Sequence, residues 1–446
     1  MKRLFICVVG LVIAVTAWSR TFNMKELGAD PRGIESCTEL INQTIEKASS
    51  EGGGTIYFPA GVYLTATIHM KSNITLYVES GAVLRFSDRF EDYLPFVKIR
   101  WEGTVMNTLS PLIYAHDAEN LTITGRGTLN GNGFKWWSWE KETRELIKKN
   151  GGKLPALNKL QRMWEEANED LEISDYYKPS LERRMFRPPF IQFYECNNVL
   201  IENVKIVNSP FWTVNPEFCD NVTIKGITID NVPSPNTDGI NPESCRNVHI
   251  SDCHISVGDD CITIKSGRDA QARRLGVPCE NITITNCTML SGHGGVVIGS
   301  EMSGSVRKVT ISNCIFDGTD RGIRIKSTRG RGGVVEDIRV SNIVMSNIKR
   351  EAVVLNLKYS KMPAEPKSER TPIFRNVHIS GMTVTDVKTP IKIVGLEEAP
   401  ISDIVLRDIH IQEGKQKCIF ENCERITMDD VIVNGEVIKS TTNTTD

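Results

Sequence analysis

Four short clusters in the second half of the chain hold residue types that do acid–base chemistry: NTDGIN (Asn236 to Asn241), VGDDC (Val257 to Cys261), SGHGG (Ser291 to Gly295) and RGIRIKS (Arg321 to Ser327). Singly, each has an ordinary reading. Asp-Gly and Asn form turns, a His between glycines sits on a turn, and Arg-x-Lys on a strand faces solvent. Together they offer the carboxylates of Asp238, Asp259 and Asp260, the imidazole of His293, and the cations of Arg324 and Lys326. Three carboxylates gathered in one place repel, so at least one is expected to have a raised pKa. A protonated carboxyl beside an ionised one is what cleavage of a glycosidic bond requires. Arg324 and Lys326 then suit a substrate that carries carboxylates of its own. A Ca²⁺ or Mg²⁺ site is disfavoured, because both cations would share its place. The glycines of GHGGVVIG lead into a strand-like run, not a helix, so they make no phosphate loop. No cofactor or metal is expected.

These residues span Asp238 to Lys326, so some element must fold the span onto one patch. A repeat does this. From Asn198 onward a polar residue, often Asn, is followed by apolar-x-apolar-x-x-apolar-x-apolar, with first apolar residues Val199, Val222, Val248, Ile282, Val309, Ile338, Val377, Ile404 and Ile426. NLTITGRGTL from Asn120 is a degenerate earlier copy. Each copy reads as two short β runs of period 2 joined by a turn, without helical periodicity. A fixed short pattern with variable gaps suits a solenoid whose coils differ in one surface loop. The expected fold is all-β: a single-stranded right-handed parallel β-helix. A propeller fits less well, since these units are too short for four strands. In this frame Asp259 and His293 fall at equivalent points of adjacent coils. Asp238 and Arg324 come a few residues later in the coils on either side. Asp259 and Asp260 are neighbours, so a bulge or turn must bring both outward. As surface turn residues, they are expected to cost activity and little stability when replaced by Asn.

The rest of the chain fits this frame. Lys2 and Arg3 before an apolar stretch from Leu4 to Trp18 predict a secretory leader over residues 1–19, and hence a secreted or periplasmic protein. Residues 20–438 form the β-helix domain, and the polar tail 439–446 is expected to be disordered. Residues 36–50 predict a short amphipathic helix capping the first coil. Among the 12 cysteines, Cys253, Cys287 and Cys314 lie five residues after their frame residue, and Cys196, Cys219, Cys245, Cys279 and Cys423 three before it. They read as small buried hydrophobes stacked coil on coil, with no bridging favoured. The same repeat accounts for the Asn-x-Thr triplets at Asn221 and Asn281. Residues 134–190 break the pattern: a helical, charged insertion with Trp136, Trp137, Trp139 and Trp164. Two readings stay open for it, a surface excursion packed by its own aromatics or a cleft wall that stacks Trp136 and Trp137 on sugar rings. A net charge of −2 over 446 residues offers no attraction for nucleic acid or anionic lipid, and no membrane span remains once the leader is removed.

The four clusters, in this order, resemble the motif blocks of glycoside hydrolase family 28, the polygalacturonases. The likeness extends from GADPRG and GGGTIYFPAG through GNGFKWW and RPPFIQF to the later repeats. The resemblance implies a right-handed parallel β-helix and inverting hydrolysis of α-1,4-linked galacturonan without metal or cofactor. It implies Asp259 as general acid, Asp238 and Asp260 as the pair that holds and deprotonates water, and His293 as a tuner of the acid. Arg324 and Lys326, with Asn236, Trp136 and Trp137, would contact an acidic polysaccharide, and the protein is expected to be a monomer. Inversion asks for carboxyl groups about 6.5–9.5 Å apart, a separation that coil spacing is expected to allow. Asn241 stands where many relatives have Asp, and Lys265 at a variable position. The insertion, closing one end of the groove, favours exo-attack over endo-attack. Alternatives are a Ca²⁺-dependent lyase or a hydrolase of mixed galacturonate–rhamnose chains on the same fold, and a non-catalytic polysaccharide-binding solenoid.

Overall fold

The computed structural model describes residues 20–153, 156–171, 186–231 and 234–439. The expected leader (1–19), residues 172–185 of the insertion and the tail beyond residue 439 lie outside the described residues.

The frame residues of the repeat stand directly on one another. Val199, Val222, Val248, Ile282, Val309, Ile338, Val377, Ile404 and Ile426 are parallel neighbours from coil to coil. All are buried, because side chains at alternate positions of a strand face one side. Leu121 lies next to Val199, so the degenerate copy is a true coil. An adjoining column continues towards the N-terminus through Ile123, Leu76, Ile56 and Phe22. The result is the predicted right-handed parallel β-helix.

The polar residue that opens each copy has a backbone role. Asn198, Asn221, Asn247 and Asn281 adopt φ of 54° to 59°, a left-handed turn that Asn tolerates better than most residues. Their amides also link the coils: Asn281 donates to Asn247 at 3.1 Å, Asn221 to Asn198 at 3.2 Å and Asn198 to Asn120 at 2.7 Å. The cysteines sit as expected except for Cys423, which is only partly buried. All eleven from Cys37 onward are unbridged, and only Cys418 and Cys423 are less than fully buried.

Two features go beyond the sequence reading. Around the site each coil has a third strand as well as the two runs, namely Asp260–Ile264, Gly294–Ile298 and Ile323–Lys326, paired in parallel. An antiparallel hairpin, Val97–Trp101 with Thr104–Thr108, also stands apart from the main sheet. Helix α1 (Thr38–Ser50) buries Ile41, Thr44, Ile45 and Ala48 over the first coil, as the cap requires. At the other end Glu436–Val437 folds back antiparallel on the last long strand. The insertion is helical as predicted, with α2 (Phe134–Lys149) and α3 (Lys159–Glu166). Among the described residues no helix is long and apolar enough to cross a membrane.

Candidate active site

The third strand positions the chemistry. Ile240, Ile262, Val296 and Ile323 form its inward column, and the residue two before each is Asp238, Asp260, Gly294 and Arg321. Asp238 therefore stacks on Asp260; it does not lie later in its coil. The extra length that hid this equivalence is in the turn ahead of Asp238. Gly294 leaves no room for a side chain, since a Cβ there would come 2.5 Å from Val297 Cγ2, and it would sit against Asp260 Oδ1 at 3.4 Å and Arg324 Cδ at 3.7 Å. Past this glycine Arg324, placed beside Val297, reaches Asp260.

Asp259 sits in the turn that leads into the strand. There Gly258 passes so close to the neighbouring coil that a Cβ would come 1.6 Å from the Ser234 carbonyl oxygen. The backbone N–H of His293 donates to the Asp259 carbonyl at 2.8 Å, which confirms the predicted equivalence of these two residues. The His293 Nδ1 lies 3.1 Å from Asp259 Oδ1. Turn and strand together gather the acids: one oxygen from each of Asp238, Asp259 and Asp260 lies within 4.8 Å of the others.

Burial separates their roles. The side chains of Asp238 and Asp260 are 3% and 1% exposed, that of Asp259 is 20% exposed, and that of His293 51%. Asp260 is no surface residue, contrary to the expectation from sequence. Its carboxylate accepts from Lys326 at 2.7 Å and Arg324 at 3.3 Å. Burial alone would raise its pKa, but these two cations outweigh it and hold Asp260 at about 2. Asp238 goes the other way, pushed well above the usual carboxylate range by burial and then by the charge of Asp259, against the pull of Lys265. The raised acid is thus Asp238, and burial contributes more to it than the expected repulsion. The hydrogen bond to Asp259 raises the pKa of His293 against its partial burial.

Lys265, set aside as variable in the sequence, is central here. Its ammonium lies 3.5 Å from Asp238 and 3.0 Å from Glu301, over the face of Trp212 at 4.1 Å. Burial would lower its pKa, but Glu301 and Asp238 more than reverse that, so it stays charged. Tyr359 lies under Arg324 and Lys326 at 5.6 and 5.3 Å. Lys265 occupies the same row as Glu217 and Glu243 of the preceding coils, and Trp212 stands two residues before Val214 as Asp238 does before Ile240. A frame drawn through the third strand would have found both. Tyr359 and Glu301 lie outside any repeat signal.

The acids open on two connected spaces. A cleft of about 930 Å³ lies over Asp259 and His293, with α2 as its far wall through Trp137, Lys141 and Arg144. A chamber of about 240 Å³ adjoins it at Asp238 and Asp260, lined by Trp212, Lys265, Lys326 and Tyr359 among others. Asn236, Asp259 and Arg144 line both. Asn236 faces these spaces as predicted, although its side-chain oxygen already accepts from Arg187 at 2.8 Å. The tryptophans divide. Trp137 is half-buried at the cleft, whereas Trp136 is fully buried, packed against Phe90 and Tyr93. The expectation of a sugar contact at Trp136 is therefore corrected: it anchors α2 to the β-helix. The three carboxylates are spaced as a metal ion would need. Lys265 and Lys326 already supply the neutralising charge there, so the site does not suit a divalent cation.

Comparison with known proteins agrees with this geometry. The family model of glycosyl hydrolases family 28 matches residues 178–429, and that of rhamnogalacturonase A/epimerase, pectate lyase-like, matches residues 21–148. A probable polygalacturonase of Vitis vinifera is 30% identical over 409 residues, covering 89% of this chain and 75% of that protein. An endo-polygalacturonase of Pectobacterium carotovorum subsp. carotovorum is 30% identical over 350 residues, covering 75% and 77%. The crystal structure of a hyperthermoactive exopolygalacturonase from Thermotoga maritima superposes with a TM-score of 0.82 at 38% identity, covering 94% of this chain and 92% of that one. Every coil that contributes an acid lies inside the matched span, and on these grounds the chain belongs to glycosyl hydrolases family 28.

Proposed function

We propose that this chain hydrolyses α-1,4-linked galacturonan or its oligomers from a chain end. The observation that carries the reading is the acid triad between a cleft open to polymer and a chamber of about 240 Å³, where Lys265, Lys326, Arg144, Arg268 and Arg331 stand among the carboxylates. A chamber of that size suits about one sugar, and the cations beside the acids can take up its carboxylate. The hairpin covers one side of it: Glu102 at its tip lines the chamber and pairs with Arg268 at 3.3 Å. An open groove would serve internal attack better, so the hairpin and α2 favour the exo mode.

Asp259, the acid most open to the cleft, donates its proton to the leaving glycosidic oxygen. Its carboxylate keeps the contact with the His293 imidazole, whose pKa that contact raises. Asp260, held ionised, and Asp238 bind the attacking water between them. Lys326, Arg324 and Lys265 fix these two acids and present positive charge to the substrate carboxylate. As that water attacks the anomeric carbon and the bond to the leaving oxygen breaks, its proton passes to the ionised Asp260, and this direct displacement inverts the centre. One oxygen of each acid lies within 4.8 Å of the others, whereas the carboxyl groups of inverting enzymes usually stand roughly 6.5–9.5 Å apart, so stereochemistry is the sharpest test. Proton NMR of fresh product should show the β anomer first; an initial α anomer rejects the mechanism. Products that absorb in the ultraviolet and vanish with chelator would instead identify a Ca²⁺-dependent lyase.

We also propose that the chain acts as a monomer outside the cytoplasm, where pectic polymers occur. The leader pattern of residues 1–19 supports export. N-terminal sequencing of exported protein should begin near Arg20, and a retained leader would count against it.

A further inference from the structure

The cleft does not end at His293. Asp320 and Lys349 line it and also line a second groove of about 520 Å³, which continues over the following coils past Arg350, Lys388, Lys392 and Gln416. Backbone hydrogen bonds place these turns in one file along the solenoid: Asp320 N–H to the Gly292 carbonyl, Arg350 N–H to Asp320, and Gln416 N–H to Lys388. Glu351 and Thr389 are strand neighbours between the second and third of these coils.

The charges in this groove are unbalanced. Asp320 is paired with Lys349 at 3.3 Å and Glu351 with Arg321 at 2.8 Å, so both acids are neutralised. Among the described residues Arg350, Lys388 and Lys392 have no carboxylate partner, and Arg350 and Lys388 are exposed. Like charges facing one another across coils cost stability unless an anion screens them. A short stretch of file from Asp320 to Gln416 measures about 14 Å at the usual strand spacing, close to the length of three sugar units.

We infer that this groove binds the part of an acidic polysaccharide chain that has yet to enter the cleft. Its carboxylates lie along Arg350, Lys388 and Lys392 while the chain end reacts at Asp259. The inference rests on the galacturonan reading above and adds to it a dependence on chain length. A dimer reaches the acids without touching the groove. A long chain fills it, and gains affinity that salt screens away.

The test compares the parent with Arg350→Glu/Lys388→Glu on digalacturonate and on long, unesterified polygalacturonate, at low and high salt. The double variant should lose about tenfold in kcat/KM on the polymer, through KM, and less than twofold on the dimer. The polymer KM of the parent should rise with salt more steeply than that of the variant. Equal loss on both substrates, or none on the polymer, overturns the inference. A second measurement separates it from the galacturonan reading. In an Asp259→Asn background, binding of polygalacturonate is measured with and without the two Glu substitutions. Loss of salt-sensitive affinity supports the groove, and unchanged affinity overturns it. Failure of the parent to cut any galacturonide would reject the earlier reading, and this binding comparison would still decide the groove.

Discussion

The inner columns and the outer end of the third strand follow the same coil geometry but opposite rules of composition. In the column of Ile250, Ile284 and Ile311 every coil contributes nearly the same buried side chain. At the position two before the third-strand column, successive coils contribute Trp212, Asp238, Asp260, Gly294, Arg321 and Glu351. Repetition inside makes stacking cheap and tolerant. Variation outside turns that stacking into a site, because each coil can supply a different group at a fixed spacing. The inner column distributes its contribution to stability over many equal contacts, whereas the outer row depends on each member.

The largest expected effects come from breaking the outer row at two neighbouring residues. Asp259→Asn and Asp260→Asn should each lower kcat on oligogalacturonides by roughly 10³-fold or more, measured by product chromatography. They should differ in stability. Asp259 is partly exposed and bonded chiefly to His293 and to the Asp260 N–H, so its Asn variant should melt within a degree or two of the parent. Asp260→Asn leaves Lys326 and Arg324 without their buried counter-charge and should cost about 3 kcal/mol. The sign with pH follows from its depressed pKa of about 2. The stabilisation is present above the ordinary carboxylate value of about 3.9 and is lost as pH falls towards 2, so the deficit of the variant should narrow over that range. Two variants with equal melting points would remove the distinction between a turn acid and a buried one.

Asp238→Asn sharpens the comparison in the opposite direction. Activity should again fall steeply, because the water loses one of its two holders. The pKa of Asp238 is raised, by burial first and then by Asp259. A raised carboxyl favours the folded state at low pH, and that stabilisation is lost as pH rises through its folded value. The melting temperature of Asp238→Asn relative to the parent should therefore increase as pH is raised. A relative melting temperature that falls with pH would mean that the Lys265 pairing dominates.

How much of this was legible follows from the same contrast. The inner columns repeat, so the frame residues from Val199 to Ile426 announced the solenoid and aligned Asp259 with His293. The outer row does not repeat, and turns of unequal length precede it. That is why the first-strand frame displaces Asp238 from Asp260 and assigns neither Lys265 nor Trp212. Exposure was harder still to read. Asp260 looked like a turn residue because its cations lie more than sixty positions away at Arg324 and Lys326, the larger of the two separations being 66. The tryptophans of α2 share one helix, and only the partners across the fold decide that Trp136 is core and Trp137 is cleft.

That helix supplies the next test. Trp136→Ala removes a fully buried indole from its contacts with Phe90 and Tyr93 and should destabilise by about 3–5 kcal/mol. Trp137→Ala, at the cleft, should cost much less stability and raise KM several-fold. If Trp136→Ala raised KM with an unchanged melting curve, the assignment of the two rings would be reversed.

The smallest expected effect belongs to the inner column. Ile284→Val deletes one methylene between Ile250 and Ile311, with a cost of about 1 kcal/mol. Stacked neighbours of the same type can close part of the gap, since the site is flanked by equivalent side chains in both directions. Kinetic constants should stay unchanged, because the acids hang from the third strand and its turn, and Ile284 lies on the first. The decisive measurement is kcat at a temperature well below melting. A change there would mean that the columns transmit strain to the outer row, and that the repetition inside is tuned to the site it carries.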